Sequence, residues 1–385
     1  MTPGTGSELR LLANAHATPF YVYDMRVLRQ QCAVFGAAFP HPWFRLYFAT
    51  MANDRGVVLK QLASLGVGAC VNSVAHLELA LESGFPRAKV QFSSTGISQA
   101  DMKRLLSLGI QVNVDSLQQL EQWATLGGVA AGLRVNAASL SSDRPKDRIG
   151  MSLSDLVTAQ ALSRERGLKI TGLHVYIGTN LQSHEQLVPT VAHFFQVAEK
   201  FNEIEYLNIG GGVGVNYRHS GPDFDLSAYG VAVSAYQKHL SQQIGRSVQV
   251  IVEPGRKLTA SCGKMVAKIT DLKFLHNRRY VTVDASTSIF PRPLLHPETP
   301  HHIWMLPDAR EHDRGPKSEA VVVGRTTFSR DILGDTSLPE NLKIGDVLVF
   351  DDAGSYSQSM ESRFLGQPAP AIVVIDENGN SSYLQ

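Results

Sequence analysis

The sequence predicts a (β/α)8 barrel, TIM-type, followed by a C-terminal all-β domain. Three observations carry that prediction. Between residues 47 and 255, short apolar runs alternate with longer amphipathic stretches, and eight such runs can be counted. Beyond Cys262 the pattern changes to strand-like runs separated by turn residues, with no long helix between them. The length, 385 residues, accommodates a barrel of ordinary size and an appended domain.

Alternating strand and helix implies a parallel sheet with its helices outside. The candidate strands begin near Tyr47, Gly68, Lys89, Gln111, Ala130, Ile170, Tyr206 and Val248. Helical patterns follow most of them, over 57–65, 75–83, 99–108, 117–126, 153–166, 185–202 and 226–244. An open doubly wound sheet is the architectural alternative, and eight even repeats favour closure. After the barrel, 265–275, 280–285, 320–324, 347–351 and 371–375 read as strands. The early run 19–23 is also strand-like and is expected to pair with the C-terminal sheet. The polar stretch 141–147 and the Pro-, His- and charge-rich stretch 297–317 read as loops. The expected division is 1–24 as a segment joining the β domain, 25–260 as the barrel, and 261–385 as the β domain.

Composition excludes several classes. A hydrophobic share of 43% with 18% charged residues suits an ordinary globular core. The 36 Lys and Arg balance 35 Asp and Glu, leaving a formal charge of +1, so neither nucleic acid nor an anionic membrane is an expected partner. No window offers the roughly 20 continuous apolar residues of a membrane span. The stretch 1–16 lacks the apolar core of a secretory signal, and a cytoplasmic location is expected. Cys32, Cys70 and Cys262 are too widely separated to suggest a disulfide framework or a zinc site, so no metal is expected.

Three local patterns can carry chemistry. Ile209-Gly210-Gly211-Gly212-Val213-Gly214 follows the seventh candidate strand. Its glycines leave backbone N–H groups free to approach an anion, and late strands of such barrels commonly end at phosphate sites. Taken alone, the run is equally a Gly-rich turn without a ligand. Glu253-Pro254-Gly255-Arg256 ends the eighth strand. A carboxylate and a guanidinium so close ordinarily form a salt bridge. Beside an anion nest, Arg256 can instead pair with phosphate, and Glu253 can accept a hydrogen bond from a protonated ring nitrogen. Asp352-Ala353-Gly354-Ser355-Tyr356 sets a tyrosine after a glycine turn in the β domain. Such a tyrosine is more often packing than chemistry, and it matters only where its loop meets a barrel mouth.

These pieces, in this order, resemble the fold type III family of pyridoxal phosphate enzymes, the alanine racemase-like barrels that include diaminopimelate, ornithine and arginine decarboxylases. The resemblance runs from Pro19-Phe20-Tyr21-Val22-Tyr23 to Phe364. It includes Val114-Asp115-Ser116, Leu133-Arg134-Val135-Asn136, Gly172-Leu173-His174, Val283-Asp284-Ala285, Arg292-Pro293 and the segment 324–331. It implies pyridoxal 5'-phosphate as cofactor, with Gly210, Gly211, Gly212, Gly255 and Arg256 on the phosphate, helped by Tyr356. It implies Glu253 on the pyridine nitrogen. Arg292 would meet a carboxylate of an amino-acid substrate, with Phe328 and Asp331 also at the substrate. It implies a homodimer with shared active sites, in which the segment 324–331 and Tyr356 serve the partner subunit.

Three positions depart from the family pattern. Where its first barrel strand ends Ala-Val-Lys-Ala-Asn, this chain reads Ala49-Thr50-Met51-Ala52-Asn53. Met51 stands at the lysine, and a thioether forms no Schiff base and shuttles no proton. Where the family reads His-x-His-x-Gly-Ser, this chain reads His174-Val175-Tyr176-Ile177-Gly178-Thr179, with Tyr176 at the stacking histidine. Where it reads Gly-Pro-x-Cys-x-Ser-x-Asp, this chain reads Gly324-Arg325-Thr326-Thr327-Phe328-Ser329-Arg330-Asp331. Thr327 stands at the proton-donating cysteine and is a far weaker acid than a thiol of pKa ~8.5. Phe328 stands at the acidic position that receives a distal ammonium in diamine-forming members. With Arg325 and Arg330 nearby, a substrate without a distal amine is expected. Lys257 follows the Glu253–Arg256 motif and is the nearest substitute for the lysine. Lys60 should lie on the next helix, away from the cofactor.

Three functions fit this pattern. The first is a decarboxylase-like protein that binds pyridoxal phosphate through a site lacking the usual lysine and acts at an amino-acid α-carbon. The second is a non-catalytic member with a binding or regulatory role, in which the cofactor is absent or idle. The third is altered pyridoxal chemistry, such as racemisation in a biosynthetic pathway, with Tyr176 and Thr327 as new acid–base groups.

Overall fold

A computed structural model describes residues 6–144, 146–307 and 315–384. The chain divides into two compact units. One is Cys32–Val215 with Asp223–Lys257; the other comprises the chain before Cys32, the segment Asn216–Pro222, and the chain from Leu258 onward. Among the described residues, no helix is long and apolar enough to cross a membrane.

The first strand, β1 (Phe20–Asp24), belongs to the second of these units. The barrel then follows: β2 (Phe44–Ala49), β3 (Gly68–Val71), β4 (Val90–Ser93), β5 (Gln111–Val114), β6 (Ala130–Val135), β7 (Lys169–Val175), β8 (Tyr206–Asn208) and β9 (Gln249–Val252). All eight are parallel, and β9 pairs back to β2 through Phe44↔Val250 and Leu46↔Val252, which closes the ring. The predicted barrel is therefore the observed one, and the open sheet is excluded.

Local chemistry explains where the helical expectations match most closely. Gln99–Leu108 opens on a Ser98/Asp101 capping box and closes on Gly109 in the left-handed conformation, φ 65°. Leu153–Arg166 repeats the device with Ser152, Asp155 and Gly167. The expected helix over 185–202 is shorter. A 3-10 turn at His184–Gln186 precedes the helix Val188–Ala198, which has Pro189 in its first turn. Phe201 is buried and continues the apolar period, but its N–H bonds Ala198 in a tight i→i+3 turn.

The barrel interior is partly polar. Tyr47, Tyr206 and Ile251 cluster inside it. A Cβ on Gly172 would lie 2.2 Å from Tyr206 Cζ, and one on Gly68 would lie 2.5 Å from Tyr47 Cε1. Glycine at those positions makes room for the two phenol rings. The Tyr206 hydroxyl donates to Asn113 Oδ1 at 2.6 Å, and Asn113 Nδ2 donates to Ser93 Oγ at 2.9 Å. Asn208 Nδ2 donates to Gln91 Oε1 and Gln91 Nε2 to Gln111 Oε1, both at 2.7 Å. Buried polar groups are thereby matched with one another.

The second unit holds a nine-stranded sheet among its described residues. Its later strands are β10 (Gly263–Leu275), β11 (Arg278–Val283), β12 (Ile303–Met305), β13 (Lys317–Val323), β14 (Ile332–Pro339), β15 (Val347–Phe350), β16 (Ala371–Ile375) and β17 (Ser381–Leu384). The path runs β14-β13-β11-β10-β1-β16-β17, and β15 bridges β10 and β12. As expected, β1 joins this sheet: Phe20 sits opposite Val266 on antiparallel β10 and Ala371 on parallel β16. Its five residues are all buried, and Phe20 and Val22 enter a core with Leu9, Val266, Val349 and Val373. Three strands lay outside the sequence expectation. β14 contains Gly334, Asp335, Ser337 and Pro339, which depress strand propensity, and it is tolerated at the sheet edge where only β13 is its partner. The stretch 297–317 is not wholly loop, because β12 lies within it, three residues long and paired with β15. Residues 308–314 of that stretch are outside the described residues. The C-terminal β17 is exposed throughout and pairs only with β16.

Candidate active site

The barrel strands end together at one face, where such barrels carry their chemistry. The backbone is tightest after β8. Glu253 N–H donates to the Gly210 carbonyl at 2.8 Å, and Gly210 N–H donates to Asn208 Oδ1 at 2.9 Å. A Cβ on Gly210 would lie 2.4 Å from the Val175 carbonyl, and one on Gly211 would lie 2.5 Å from that of Glu253. Gly210 also has φ 67°. The glycines therefore let three strand ends approach: β7 with Tyr176 just beyond it, β8, and β9 with Glu253. Among the described residues, the N–H groups of Gly211 and Gly212 have no acceptor within the chain, and both residues are half-buried. They are free donors at the barrel rim, the set an anion requires.

Glu253 lies deeper and is 7% exposed. Burial opposes its ionisation, but His174 and hydrogen bonds from His174, Asn208 and Cys70 outweigh burial and hold its pKa below the usual carboxylate value. Asn208 Nδ2 donates to Oε1 in a short contact, and His174 Nε2 lies 3.3 Å from Oε2. Burial pushes the His174 pKa down against the pull of Glu253. The consistent state is a neutral imidazole that donates from Nε2 to an ionised carboxylate. Its Nδ1, buried without a partner, then carries no hydrogen. Burial, followed by the charge of Glu253, raises the Cys70 thiol well above its ordinary value, so it remains a neutral donor. Glu253 is thus a charged acceptor inside the barrel, supported from β3, β7 and β8.

The remaining expected positions are distributed as follows. Met51 is half-buried in a 3-10 turn, Thr50–Ala52, directly after β2. Tyr176 is half-buried after β7. Gly255 and Arg256 are buried after β9, and Arg256 begins the one-turn helix Arg256–Thr259. Lys257 Nζ lies 3.4 Å from Asp223 Oδ1, and Lys60 is exposed on the helix Gly56–Ser64.

In the other unit, Arg292 is fully buried. Its guanidinium donates to the carbonyl and hydroxyl of Thr299 at 2.8 and 2.9 Å and lies 3.3 Å from the centre of the Tyr217 ring. Asp331 is buried and accepts from the backbone and hydroxyl groups of both Thr287 and Thr326, which folds 324–331 into a closed loop. Thr327 is exposed on that loop, and Phe328 meets Phe364 edge-on at 5.6 Å. Tyr356 is half-buried with φ 51°, and Asp352 has φ 57°. Non-glycine residues held there cost of order 1 kcal/mol each, and such strain concentrates at functional loops. His219, His302 and Asp351 bring ligand-type atoms within 4.8 Å of one another. Lys264 pairs with Asp351, and His219 bonds Asp352 at 2.6 Å, so the group forms an ion-pair network.

Sequence reading missed the residues that support Glu253. Cys70 and Asn208 are single residues in apolar runs, and only the closed barrel brings them to one carboxylate. His174 was visible within Gly172-Leu173-His174, but its partner was not.

The closed (β/α)8 barrel thus carries, where its strands end, a Gly-lined turn with free amide donors and a buried ionised carboxylate. A family model described as "Pyridoxal-dependent decarboxylase, pyridoxal binding domain" matches residues 25–260, and the chain belongs to that fold type III decarboxylase family. Diaminopimelate decarboxylase of Escherichia coli is 27% identical over 406 aligned residues, covering 99% of this chain and 94% of that one. The enzyme of Neisseria meningitidis serogroup A is 29% identical, covering 95% and 92%. A solved diaminopimelate decarboxylase superposes with a TM-score of 0.89 at 25% identity, covering 100% of this chain and 95% of that one. The family implies pyridoxal phosphate and amino-acid decarboxylase-like function.

The residues present fit that cofactor. Free rim N–H groups suit its phosphate, and an ionised buried carboxylate suits its protonated ring nitrogen.

Proposed function

We propose that this chain binds pyridoxal phosphate without a lysine link at position 51 and acts at the α-carbon of an amino acid without a distal amine. The observation that carries this reading is Glu253, ionised inside the barrel beside a turn with free amide donors. In this reading Gly210, Gly211, Gly212, Gly255 and Arg256 hold the phosphate, with Tyr356 contributed by a second copy. Glu253 keeps the ring nitrogen protonated, which is useful only where the ring must take up electrons. When bound, the cofactor supplies that electron sink. The chain's own residues bind and orient it, and Tyr176 lines one side. Arg292, Phe328 and Asp331 belong to the substrate end, and Thr327 occupies the position of the family's proton donor.

The domain division that goes with this reading is 25–260 for the cofactor, with 1–24 and 261–385 forming the β domain. A homodimer in the cytoplasm is the expected assembly. The relatives are named for diaminopimelate, and this reading departs from them at the distal end of the substrate, where Phe328 stands. Met51 favours a second reading: a non-catalytic member with a binding or regulatory role.

The test is an absorption spectrum after adding pyridoxal phosphate and desalting, followed by borohydride reduction and intact mass. A retained chromophore without a fixed adduct is expected. An adduct would move the link to a lysine such as Lys257. A chromophore-free protein would overturn the cofactor reading in favour of the non-catalytic one.

A further inference from the structure

If Met51 and Thr327 stand where the family has a lysine and a cysteine, the site lacks both customary proton carriers. Decarboxylation still requires one: the bond from Cα to the carboxylate breaks, carbon dioxide leaves, and Cα takes up a proton. A replacement must be a titratable group at the open face of the barrel, held in one orientation, with a free nitrogen or oxygen.

One residue outside the roles assigned above meets those conditions. His76 lies in the first turn of the helix Val74–Glu82, which follows β3 on the open face. Its backbone N–H is held by the Ser73 hydroxyl at 3.1 Å. Its ring Nδ1 lies 3.0 Å from Asn72 Oδ1 and 3.4 Å from Thr50 Oγ1. Thr50 directly precedes Met51, and its own hydroxyl donates to the Cys70 carbonyl at 3.1 Å. An amide oxygen only accepts, so Nδ1 carries the hydrogen and Nε2 keeps its lone pair. Among the described residues, Nε2 has no hydrogen-bond partner. Glu78, the nearest acid on the same helix, is committed to Arg104 at 2.7 Å. The imidazole is thus oriented by an asparagine on one nitrogen and open on the other. That division of labour is the one general acid–base catalysis uses.

We propose that His76 is the proton-transfer group of this site, with Asn72 as its positioning residue. Protonated at Nε2, His76 delivers the proton that Cα takes up as carbon dioxide leaves, and it regains a proton from water. The inference rests on the function proposed above, and the experiment separates the two.

Protein labelled with carbon-13 at histidine Cε1 is titrated by NMR through the range of imidazole ionisation, with and without pyridoxal phosphate. His76→Gln assigns the resonance. The expected result is a His76 signal that moves on cofactor binding. His76→Gln should retain the chromophore with affinity within about twofold of the parent, while turnover or α-hydrogen exchange falls by about 10²-fold or more. Asn72→Ala should retain the chromophore while lowering kcat for turnover or α-hydrogen exchange more than it raises KM. Cofactor retained with an unmoved His76 signal overturns this inference alone. Cofactor not retained by the wild-type protein overturns it together with the proposed function. A His76→Gln variant with wild-type turnover also overturns it.

Discussion

The buried carboxylate of Glu253 links the candidate site to the stability of the fold. Its pKa is lowered in the folded state, so its contribution to stability is present above the unfolded carboxylate value and is lost as pH falls through the folded value. Asn208→Leu removes one of its donors and should cost about 3 kcal/mol near neutral pH, with a smaller cost in acid where the carboxylate is protonated. Urea unfolding at two pH values measures both; an equal loss at each would show that Glu253 does not carry the effect. In the other unit Asp351 follows the same sign, lowered by Lys264 and His302 against burial. His219 has the opposite sign: the hydrogen bond to Asp352 raises it, so its support is present at low pH and fades as pH rises through its folded value. Of the candidate site, Gly210–Gly212 and Glu253–Arg256 stand out in the sequence because each is a contiguous run after a strand. Cys70, Asn208 and His76 do not, because nothing in their own neighbourhoods distinguishes them. Their meaning comes from partners 45 to 183 positions away or, for His76, from Thr50 in the turn after β2.

Among the elements, the barrel strands were legible to within a few residues because burial on both faces makes them short, continuous apolar runs. Helix ends were sharpest where a capping box and a left-handed glycine both spoke, as at Ser98 and Gly109. The edge strand β14 was hidden because an edge forgives glycine and proline. The interior fit of β7 and β8 was equally hidden, although it can be tested. Gly172→Ala places a methyl 2.2 Å from Tyr206 Cζ. It should destabilise by about 1–3 kcal/mol through overpacking, and Gly172→Ala with Tyr206→Leu should be less destabilised than the sum of the two single changes. Strict additivity of the two would show that ring and glycine are not coupled.

For the whole molecule, the proposed shared-site dimer makes a quantitative prediction. Arg256→Ala and Asp331→Ala, each inactive alone, should regain about a quarter of wild-type activity when co-expressed, because half the dimers are mixed and each mixed dimer rebuilds one intact site. A mixture no more active than its parents would place both residues in one subunit's site. The position of β1 has another consequence, one for biosynthesis. Phe20 pairs with Val266 on one side and Ala371 on the other. On a translating ribosome β1 therefore emerges about 350 residues before β16 exists. At about 5–20 residues per second, that is a wait of about 20 to 70 seconds. During it, the run Phe20-Tyr21-Val22-Tyr23 belongs to a nascent chain whose sheet is unfinished. The barrel residues are all translated inside that interval, so the barrel unit can form while β1 still lacks β16 as a partner.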